Sequence, residues 1–367
     1  MPTIEADIER AHNFNAGPAV LPETVLEQAR DEFMDFKNQK MSVLEVSHRS
    51  NEWEDTVDEC VNRIRNLWEV PDNYHVLFLQ GGASTQFAMI PMNIATNGPV
   101  QVVDTGRWSQ KKLTELQIQD VEHEVVASSQ DTGYDRIPDF DSHEVDPDAS
   151  YLHICSNETI GGIQWSEYPR TGDVPLVADM SSDVLSRPVD VSNFGLIYAG
   201  AQKNIGPAGA TLVIVREDLV DRTPDGVPTM LRYDTHVKKD SMHNTPPVFT
   251  IYMINLVMKW LQDQGGIESI AERNRKKADL LYDVIDSSDF YRGVAEPKSR
   301  SRMNVTFRLL EEELEEQFAE EAAKKGMIGL KGHRTVGGCR ASIYNSLPVE
   351  SVRTLVDFMK SFEQQYG

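Results

Sequence analysis

One lysine lies in a glycine-rich turn between two apolar runs. The runs are Phe194–Tyr198 and Ala210–Val215, and the turn contains Lys203, Gly206 and Gly209. Both runs have the length and β-branched content of buried strands. A lysine held at such a junction can direct its amine into a cleft, where desolvation lowers the pKa and frees the amine to attack a carbonyl. Taken alone, the same lysine would usually be a solvated turn residue.

An aspartate upstream favours the chemical interpretation of Lys203. Asp179 ends the apolar run Leu176–Asp179, which is the strand-like segment that precedes Phe194–Tyr198 in the chain. An acid and a lysine at consecutive strand ends are the two protein groups that anchor pyridoxal 5'-phosphate. The lysine forms the Schiff base, and the acid keeps the ring nitrogen protonated so that the ring accepts electrons. The sequence therefore predicts a pyridoxal phosphate site around these residues.

The length and composition of the chain limit the kinds of protein that it can be. The 367 residues exceed one average domain and predict two. No apolar run is long enough to span a bilayer, and the acidic, polar N-terminus lacks the pattern of a signal peptide. The three cysteines are widely spaced and form no CxxC pair, and the nine histidines show no metal-ligand spacing. We therefore expect a reduced cytoplasmic protein without a metal site.

The chain is strongly acidic, with a formal net charge of −22. This balance disfavours nucleic acids and anionic membrane surfaces as partners, since both are negatively charged. It also means that an anionic substrate needs a local cationic pocket within a repulsive overall field.

Strand-like and helix-like segments alternate from residue 22 to residue 265, as in an α/β domain. The predicted strands are His75–Leu79, Val100–Asp104, Tyr151–Cys155, Leu176–Asp179, Leu196–Ala199 and Thr211–Val215, with Val43–Val46 as a further strand-like segment. Pro22 is predicted to begin a helix. Helical spacing between Val248 and Leu261 leads to a break at Gly265-Gly266, where we place a domain boundary.

The remaining residues predict a smaller α+β domain, formed by residues 1–21 and 266–367. Its predicted helices are Glu268–Asp286, Glu311–Lys325 and a final helix from Val349. Its predicted strands are Ser301–Leu309 and Arg340–Tyr344.

The loop Gln80–Thr85 follows one predicted strand and precedes the predicted helix Gln86–Ile94. Its small residues let backbone N–H groups approach an oxyanion at a helix N-terminus. Taken alone, the loop would be interpreted first as a tight strand-to-helix turn with Ser84 or Thr85 as the helix cap. Because Asp179 and Lys203 follow it, we interpret it as the phosphate-binding loop of the cofactor.

Short motifs extend over nearly the whole chain. They are Phe14–Pro18, Glu45–Arg49, Cys155–Gly162, Tyr198–Gly209, Asn244–Pro247, Ser301–Val305 and Leu330–Tyr344. In this number and order they resemble the motifs of the phosphoserine aminotransferase family, which are class V, fold-type I pyridoxal-phosphate enzymes. The resemblance implies a large domain with a mostly parallel seven-stranded sheet between helices, joined to a smaller α+β domain.

The resemblance also implies how the cofactor is held. Ala83 and Ser84 would bind its phosphate, Trp108 would stack on its ring, Thr159 would bind the ring hydroxyl oxygen, and Gln202 would reach the phosphate. Read in isolation, Trp108 is more often a core residue, and Thr159 is an ordinary turn residue.

The family resemblance implies a homodimer with composite active sites. Asn244 and Thr245 match a pair that reaches the cofactor phosphate of the partner subunit. Read locally, the two residues only precede the helix that follows Pro246-Pro247.

Two His-Arg pairs and one further arginine are candidates for binding substrate anions. Arg340 presents a planar fork suited to an α-carboxylate. The pairs His48-Arg49 and His333-Arg334 would take the distal phosphate of phosphoserine or the γ-carboxylate of glutamate. Each alone could be a surface ion pair.

The chain departs from some family members at the phosphate loop. Those members have Gly-Arg where this chain has Ala83-Ser84, and their arginine helps to hold the substrate phosphate. We name Arg107, next to Trp108, as the candidate for the missing cation.

The implied reaction moves an amino group between glutamate or 2-oxoglutarate and 3-phosphohydroxypyruvate or O-phospho-L-serine, in serine biosynthesis. A further implied substrate is 4-phosphohydroxy-L-threonine, in pyridoxine biosynthesis. Lys203 would act as general base and acid.

Three alternatives stay open. Another class V aminotransferase, such as one for alanine and glyoxylate, would not need the second cationic cluster. A doubly wound nucleotide-binding protein or oxidoreductase would need a GxGxxG motif after the first strand and gives Lys203 no role. A non-catalytic acidic interaction module leaves the lysine and the acid unexplained.

Overall fold

In the computed structural model of the chain, residues 10–141 and 145–367 are described. The strands are β1 (His12–Asn13), β2 (Tyr74–Leu79), β3 (Val100–Asp104), β4 (His123–Ser128), β5 (Tyr151–Cys155), β6 (Asn157–Glu158), β7 (Ile163–Gln164), β8 (Leu176–Asp179), β9 (Leu196–Gly200), β10 (Thr211–Arg216), β11 (Tyr291–Gly293), β12 (Asn304–Leu309), β13 (Met327–Ile328) and β14 (Cys339–Ser342). The helices are α1 (Glu23–Glu32), α2 (Asn51–Trp68), α3 (Gly82–Ile94), α4 (Arg107–Ile118), α5 (Glu217–Val220), α6 (Tyr233–Val237), α7 (Val248–Asp263), α8 (Gly266–Asp286), α9 (Glu313–Lys324) and α10 (Val349–Tyr366).

The large sheet has the strand order β2-β10-β9-β8-β5-β3-β4. Strand β10 is antiparallel to both of its neighbours, and the other four pairings are parallel. The predicted fold class, an α/β protein with a mostly parallel seven-stranded sheet, is confirmed. Parallel strands place their carboxyl ends at one edge, and ligands bind at that edge in open α/β sheets.

Alternating side chains of the large sheet enter two different apolar layers. Ile197 and Ala199 of β9 pack into the layer that includes Trp53 of α2 and Ile254 of α7. Leu196 and Tyr198 of the same strand pack into the layer that includes Phe87 of α3 and Leu116 of α4. Since both faces are covered, the central strands are continuous apolar runs rather than alternating ones.

The C-terminal part is built on the antiparallel sheet β11-β12-β14. Its apolar layer joins that sheet to α8, α9 and α10, and it also takes in Phe14 from the start of the chain. The short strand β1 lies parallel to β13. Helix α8 contributes Ile267 to the layer of the large sheet and Leu281 to the C-terminal layer. The proposed division of the chain at residue 265 stays a prediction.

Two local predictions are wrong. Val43–Val46 is not a strand: the segment forms turns in which Val43 and Val46 are buried while Leu44 is 57% exposed. Its apolar residues fill a gap in the core just before α2, whose cap is Ser50. Helix α3 begins at Gly82 instead of Gln86, with Gly81 at the cap position in place of Ser84 or Thr85.

The bounds of several other elements move by a few residues. Strand β12 begins at Asn304, and β14 ends at Ser342. Within the described residues, no helix combines the length and apolar character that crossing a bilayer requires.

Candidate active site

Lys203 lies in the turn between β9 and β10, at the carboxyl edge of the large sheet. Its Nζ donates a hydrogen bond of 2.6 Å to Thr159 Oγ1. Burial lowers the pKa of Lys203, although the carboxylate of Asp179 opposes that shift. A lowered pKa leaves more of the amine neutral, which is the form that attacks a carbonyl or takes a proton.

Asp179 is the last residue of β8 and is 5% exposed. Its Oδ1 accepts a hydrogen bond of 2.9 Å from the backbone N–H of Ser181. Burial raises the pKa of Asp179, and the positive charge of Lys203 opposes the rise. A buried carboxylate at the end of this strand gains most when a cationic group lies beside it.

Trp108 brings an aromatic face to Lys203. The Nζ of Lys203 lies 5.0 Å from the centroid of the Trp108 ring. The indole Nε1 is buried and finds no hydrogen-bond partner among residues 10–141 and 145–367. An unpartnered buried donor at an aromatic surface is expected where a polar aromatic ligand completes the site.

Glu158 positions Trp108, and the sequence analysis missed it. Its carboxylate is buried and accepts hydrogen bonds of 3.1 Å from the backbone N–H groups of Trp108 and Ser109, at the N-terminus of α4. Gly106 has φ +146, and a Cβ there would lie 3.1 Å from Glu158 Cδ. An acid beside Thr159 and a glycine before Trp108 were the available signals.

Replacing Glu158 by Gln should change how stability depends on pH. Burial raises the pKa of Glu158 to about 7 from 4.5, while the two N–H donors oppose the rise. Between these values the native state holds more protons than the unfolded state, so this residue makes stability fall as pH rises from about 4.5 to about 7. We expect Glu158→Gln to remove that part of the decline, as measured by urea midpoints at pH 5, 6, 7 and 8. Parallel curves for the two proteins would show that Glu158 does not titrate in this range.

Arg340 of β14 lies on the other side of Thr159. Its Nη1 donates 3.2 Å to the carbonyl oxygen of Thr159, and its Nε is buried without a hydrogen-bond partner in the described part of the chain. Burial lowers the pKa of Arg340, but a guanidinium stays charged in proteins. No carboxylate of residues 10–141 or 145–367 pairs with it. The site therefore offers a fork of free donors beside Lys203.

A group of cations surrounds His333. Burial lowers the pKa of His333, and neighbouring positive charges lower it further. Those charges belong to Arg340, Arg334, Arg107 and Lys111. Lys111, which the sequence analysis missed, follows Arg107 by one helical turn of α4, and this i, i+4 spacing was the available signal. In a chain of net charge −22, these residues form a local concentration of positive charge.

Ala83 and Ser84 lie in the first turn of α3. Gly81 and Gly82 precede them with φ of 94 and 70, and the first N–H groups of a helix have no partner within the helix. Those N–H groups and the helix dipole favour an anion. Gln202 lies next to Lys203, and a Cβ at Gly200 would lie 2.8 Å from Gln202 Oε1.

The N-terminal segment covers the stem of Lys203. A Cβ on Gly17, whose φ is +140, would lie 3.2 Å from Lys203 Cγ. The backbone N–H of Ala19 donates 2.9 Å to the carbonyl oxygen of Gln202.

His48, Arg49, Asn244 and Thr245 are among the predicted site residues that have no recorded contact with Lys203 in a single chain. His48 and Arg49 precede α2, and their side chains form no hydrogen bond or ion pair with any residue of the described ranges. Asn244 lines a cavity together with Gln80, and Gln80 Nε2 donates 3.1 Å to the carbonyl oxygen of Thr245.

The residues present fit pyridoxal phosphate. Lys203 supplies an amine of lowered pKa, and Asp179 supplies a buried carboxylate. Trp108 contributes an aromatic face with an unpartnered indole donor, and the start of α3 contributes N–H groups for a phosphate. Across the described residues, no group of three or more His, Cys, Asp or Glu side chains is arranged to hold a metal ion.

Comparison with known proteins agrees with this geometry. The family model described as aminotransferase class-V matches residues 11–355. The phosphoserine aminotransferase of Syntrophobacter fumaroxidans is 56% identical over 98% of this chain and 99% of its own length.

Two solved structures have the same fold. The phosphoserine aminotransferase from Bacillus circulans subsp. alkalophilus matches with a TM-score of 0.95 and 53% identity, over 98% of this chain and 100% of that one. The pyridoxal-phosphate-bound phosphoserine aminotransferase from Trichomonas vaginalis matches with a TM-score of 0.91 and 38% identity, over 96% and 100%. The resemblance found in the sequence motifs is confirmed: the chain belongs to the class-V aminotransferases, which are pyridoxal-phosphate enzymes, and within them to the phosphoserine aminotransferase family.

Proposed function

We propose that this chain transfers the amino group between glutamate or 2-oxoglutarate and 3-phosphohydroxypyruvate or O-phospho-L-serine. The observation that carries the proposal is one continuous cationic group near Lys203 that has two parts. Arg340 contacts Thr159 and also acts on His333, and Arg334, Arg107 and Lys111 act on His333 as well. A substrate with an α-carboxylate and a distal phosphate or carboxylate matches both parts. We propose 4-phosphohydroxy-L-threonine as a further substrate, because it carries the same two groups.

We propose the cofactor contacts that the family resemblance implies. Lys203 would hold the aldehyde carbon of pyridoxal phosphate, Asp179 the ring nitrogen and Thr159 the ring hydroxyl oxygen. Trp108 would stack on the ring, and Ala83, Ser84 and Gln202 would bind the phosphate. When bound, the cofactor supplies a carbonyl that accepts the amino group and a ring that accepts electrons.

Lys203 would move the proton. Its Nζ would take the proton from the substrate α-carbon and return it as general base and acid. Burial favours the neutral amine that this task needs, and Thr159 Oγ1 orients it.

The anion sites would divide the substrate between them. Arg340 would bind the α-carboxylate with two parallel N–H donors. His333 and Arg334 would bind the distal phosphate or γ-carboxylate. Some family members have an arginine at the position of Ser84. Arg107 and Lys111 would supply the positive charge that this arginine provides in those members.

We propose that two copies of the chain complete each active site. Asn244 and Thr245 would reach the cofactor phosphate of the partner subunit, which is consistent with their exposure and with the absence of a recorded contact to Lys203 in one chain. His48 and Arg49 have no recorded contact with Lys203 either and would act across the same interface.

Mixing two inactive variants should restore activity if the sites are shared. Lys203→Ala removes the amine, and the double variant Asn244→Ala with Thr245→Ala removes the partner contact. A mixed dimer would contain one site with both sets intact, so up to about half of the exchanged dimers' sites should work. Activity is measured after denaturation and co-refolding, and subunit exchange is followed with two affinity tags. Complete exchange without recovered activity would contradict a shared site.

The proposed activity is tested by measuring kcat/KM for two acceptor classes. With glutamate as donor, 3-phosphohydroxypyruvate should be preferred over glyoxylate, since only the first engages the cations around His333. We expect the preference to fall in Arg334→Gln, with the glyoxylate rate changing little. Equal rates with both acceptors would favour the alanine–glyoxylate alternative.

A further inference from the structure

A second cationic cavity lies between the two parts of the chain. Its volume is about 420 Å³, within the range of roughly 300–1,000 Å³ for small-molecule sites. One wall is formed by Gln164, Trp165, Ser166 and Arg187, and the other by Ala278, Asp279, Tyr282, Pro297, Lys298, Arg300 and Arg302. None of the residues assigned to the active site lines it.

Positive charge dominates the lining. Arg187, Lys298, Arg300 and Arg302 are basic, and Asp279 is the single carboxylate among the described lining residues. Arg300 is already neutralised, because its two Nη atoms donate 2.6 and 2.7 Å to the carboxylate of Asp286. The carboxylate of the buried Asp183 offsets part of the charge of Arg187, so the unpaired charge available to a ligand comes mainly from Lys298 and Arg302. In a chain of net charge −22, such a concentration of free cations is unexpected for an ordinary surface.

Arg187 is a preorganised cation on one wall. Its Nη1 donates 2.8 Å to Ser166 O, and its Nη2 donates to Trp165 O. Its guanidinium lies 5.0 Å from the centroid of the Tyr168 ring. The Nε atom is buried and has no partner in residues 10–141 and 145–367, and the same holds for the indole Nε1 of Trp165, a residue that is 6% exposed.

Lys298 and Arg302 are the free cations of the opposite wall. Neither side chain forms an ion pair or hydrogen bond with any residue that the structure describes. The backbone of Arg302 is nevertheless fixed, since its N–H donates 3.0 Å to Gln164 Oε1. The adjacent Ser301 N–H donates 2.8 Å to Gly162 O. The two walls are thus held together, while the charges at the rim stay unpaired.

We propose that this cavity binds a small phosphate-bearing molecule. Arg187 lines one wall, and Lys298 and Arg302 line the other. A tetrahedral dianion with several acceptor oxygens matches cations on two walls better than one planar carboxylate would. Such a ligand bridges Arg187, in the large-sheet part, to Lys298 and Arg302, in the C-terminal part. The site is independent of the proposed reaction, because its lining shares no residue with the active site.

The test uses the holoenzyme and inorganic phosphate. Binding is measured by titration calorimetry, with ionic strength held constant by sodium chloride. The cavity variant is Lys298→Gln with Arg302→Gln. The control variant is Lys276→Gln with Arg292→Gln, which removes the same charge from exposed residues of the C-terminal part outside the cavity.

The wild type and the control should bind one more phosphate per chain than the cavity variant, or bind it at least tenfold more tightly. The same two proteins should show a phosphate-dependent rise in melting temperature that the cavity variant lacks. Basal activity should be unchanged in both variants, which verifies that they fold. Phosphate bound at the active site adds equally to all three proteins and cancels in the comparison. Identical titrations for all three proteins, or an equal loss in the control, would overturn the proposal.

Discussion

Replacing Lys203 by alanine should lower kcat at least about 10⁴-fold, which is the upper end of what a positioned general acid–base group contributes. The reason is that, within the described residues, Nζ of Lys203 is the one amine that donates a hydrogen bond to Thr159 Oγ1, although Nζ of Lys111 also lies over the Trp108 ring. The rate is measured under single-turnover conditions. Added methylamine should restore part of it, because a free amine can move the proton that the missing side chain would have moved.

Lys112 provides the matched control for this substitution. It is a fully buried lysine whose pKa, like that of the partly buried Lys203, is lowered by burial, but its Nζ donates 2.9 Å to the carbonyl oxygen of Phe87. Lys112→Met should therefore reduce stability while kcat stays within about tenfold of the wild type. A loss in Lys112→Met as large as in Lys203→Ala would mean that removing any buried lysine disables the protein.

Replacing Asp179 by asparagine should lower kcat by about 10²–10³-fold, as removing one preorganised electrostatic group does elsewhere. The side chain keeps its shape, and its Oδ1 can still accept from Ser181 N. What is lost is the negative charge opposite Lys203 and beside the proposed ring nitrogen. Without that carboxylate, the pKa of Lys203 should fall further, since the Asp179 charge opposes the effect of burial. The acidic limb of the pH–rate profile should then move to lower pH.

Asp183→Asn separates a charge effect at the site from a general effect of removing buried acids. Asp183 is 3% exposed and accepts hydrogen bonds from Ser156 Oγ and Gln164 Nε2. It has no recorded contact with Lys203. We expect a lower melting temperature and a kcat within about tenfold of the wild type. If the two aspartates prove equally important for kcat, Asp179 has no special role at the ring.

The large sheet could be predicted because its strands are buried on both faces. Leu196–Gly200 and Thr211–Arg216 are short apolar runs between turns, and such runs read directly as strands. The edge strand β4 (His123–Ser128) was not predicted, because only one neighbour covers it and most of its residues are partly or fully exposed. Val43–Val46 was wrongly predicted as a strand because it is apolar and partly buried, and buried apolar residues also occur in irregular segments.

The site could be predicted only where chemistry requires one residue type. Lys203 and Asp179 stand out because a lysine and an acid are rare at buried strand ends. Glu158 and Lys111 were missed, since each acts through a neighbour that comes near only in the folded chain: Glu158 through the start of α4, and Lys111 through the charge around His333. The only local signals were an acid beside Thr159, a glycine before Trp108 and the i, i+4 spacing of Arg107 and Lys111, and none of these by itself indicates a site.

Because β1 pairs with β13, the parts of the chain that form and cover the active site are synthesised in a fixed order. The residues that cover Lys203 are made well before β13, which follows β1 by roughly 315 residues. At about 5–20 residues per second, this wait lasts roughly 15–60 s. A nascent chain that already contains Lys203 and Asp179 but not β13 lacks the pairing that holds β1 in place. We expect such chains to react more readily with free aldehydes than chains that contain β13.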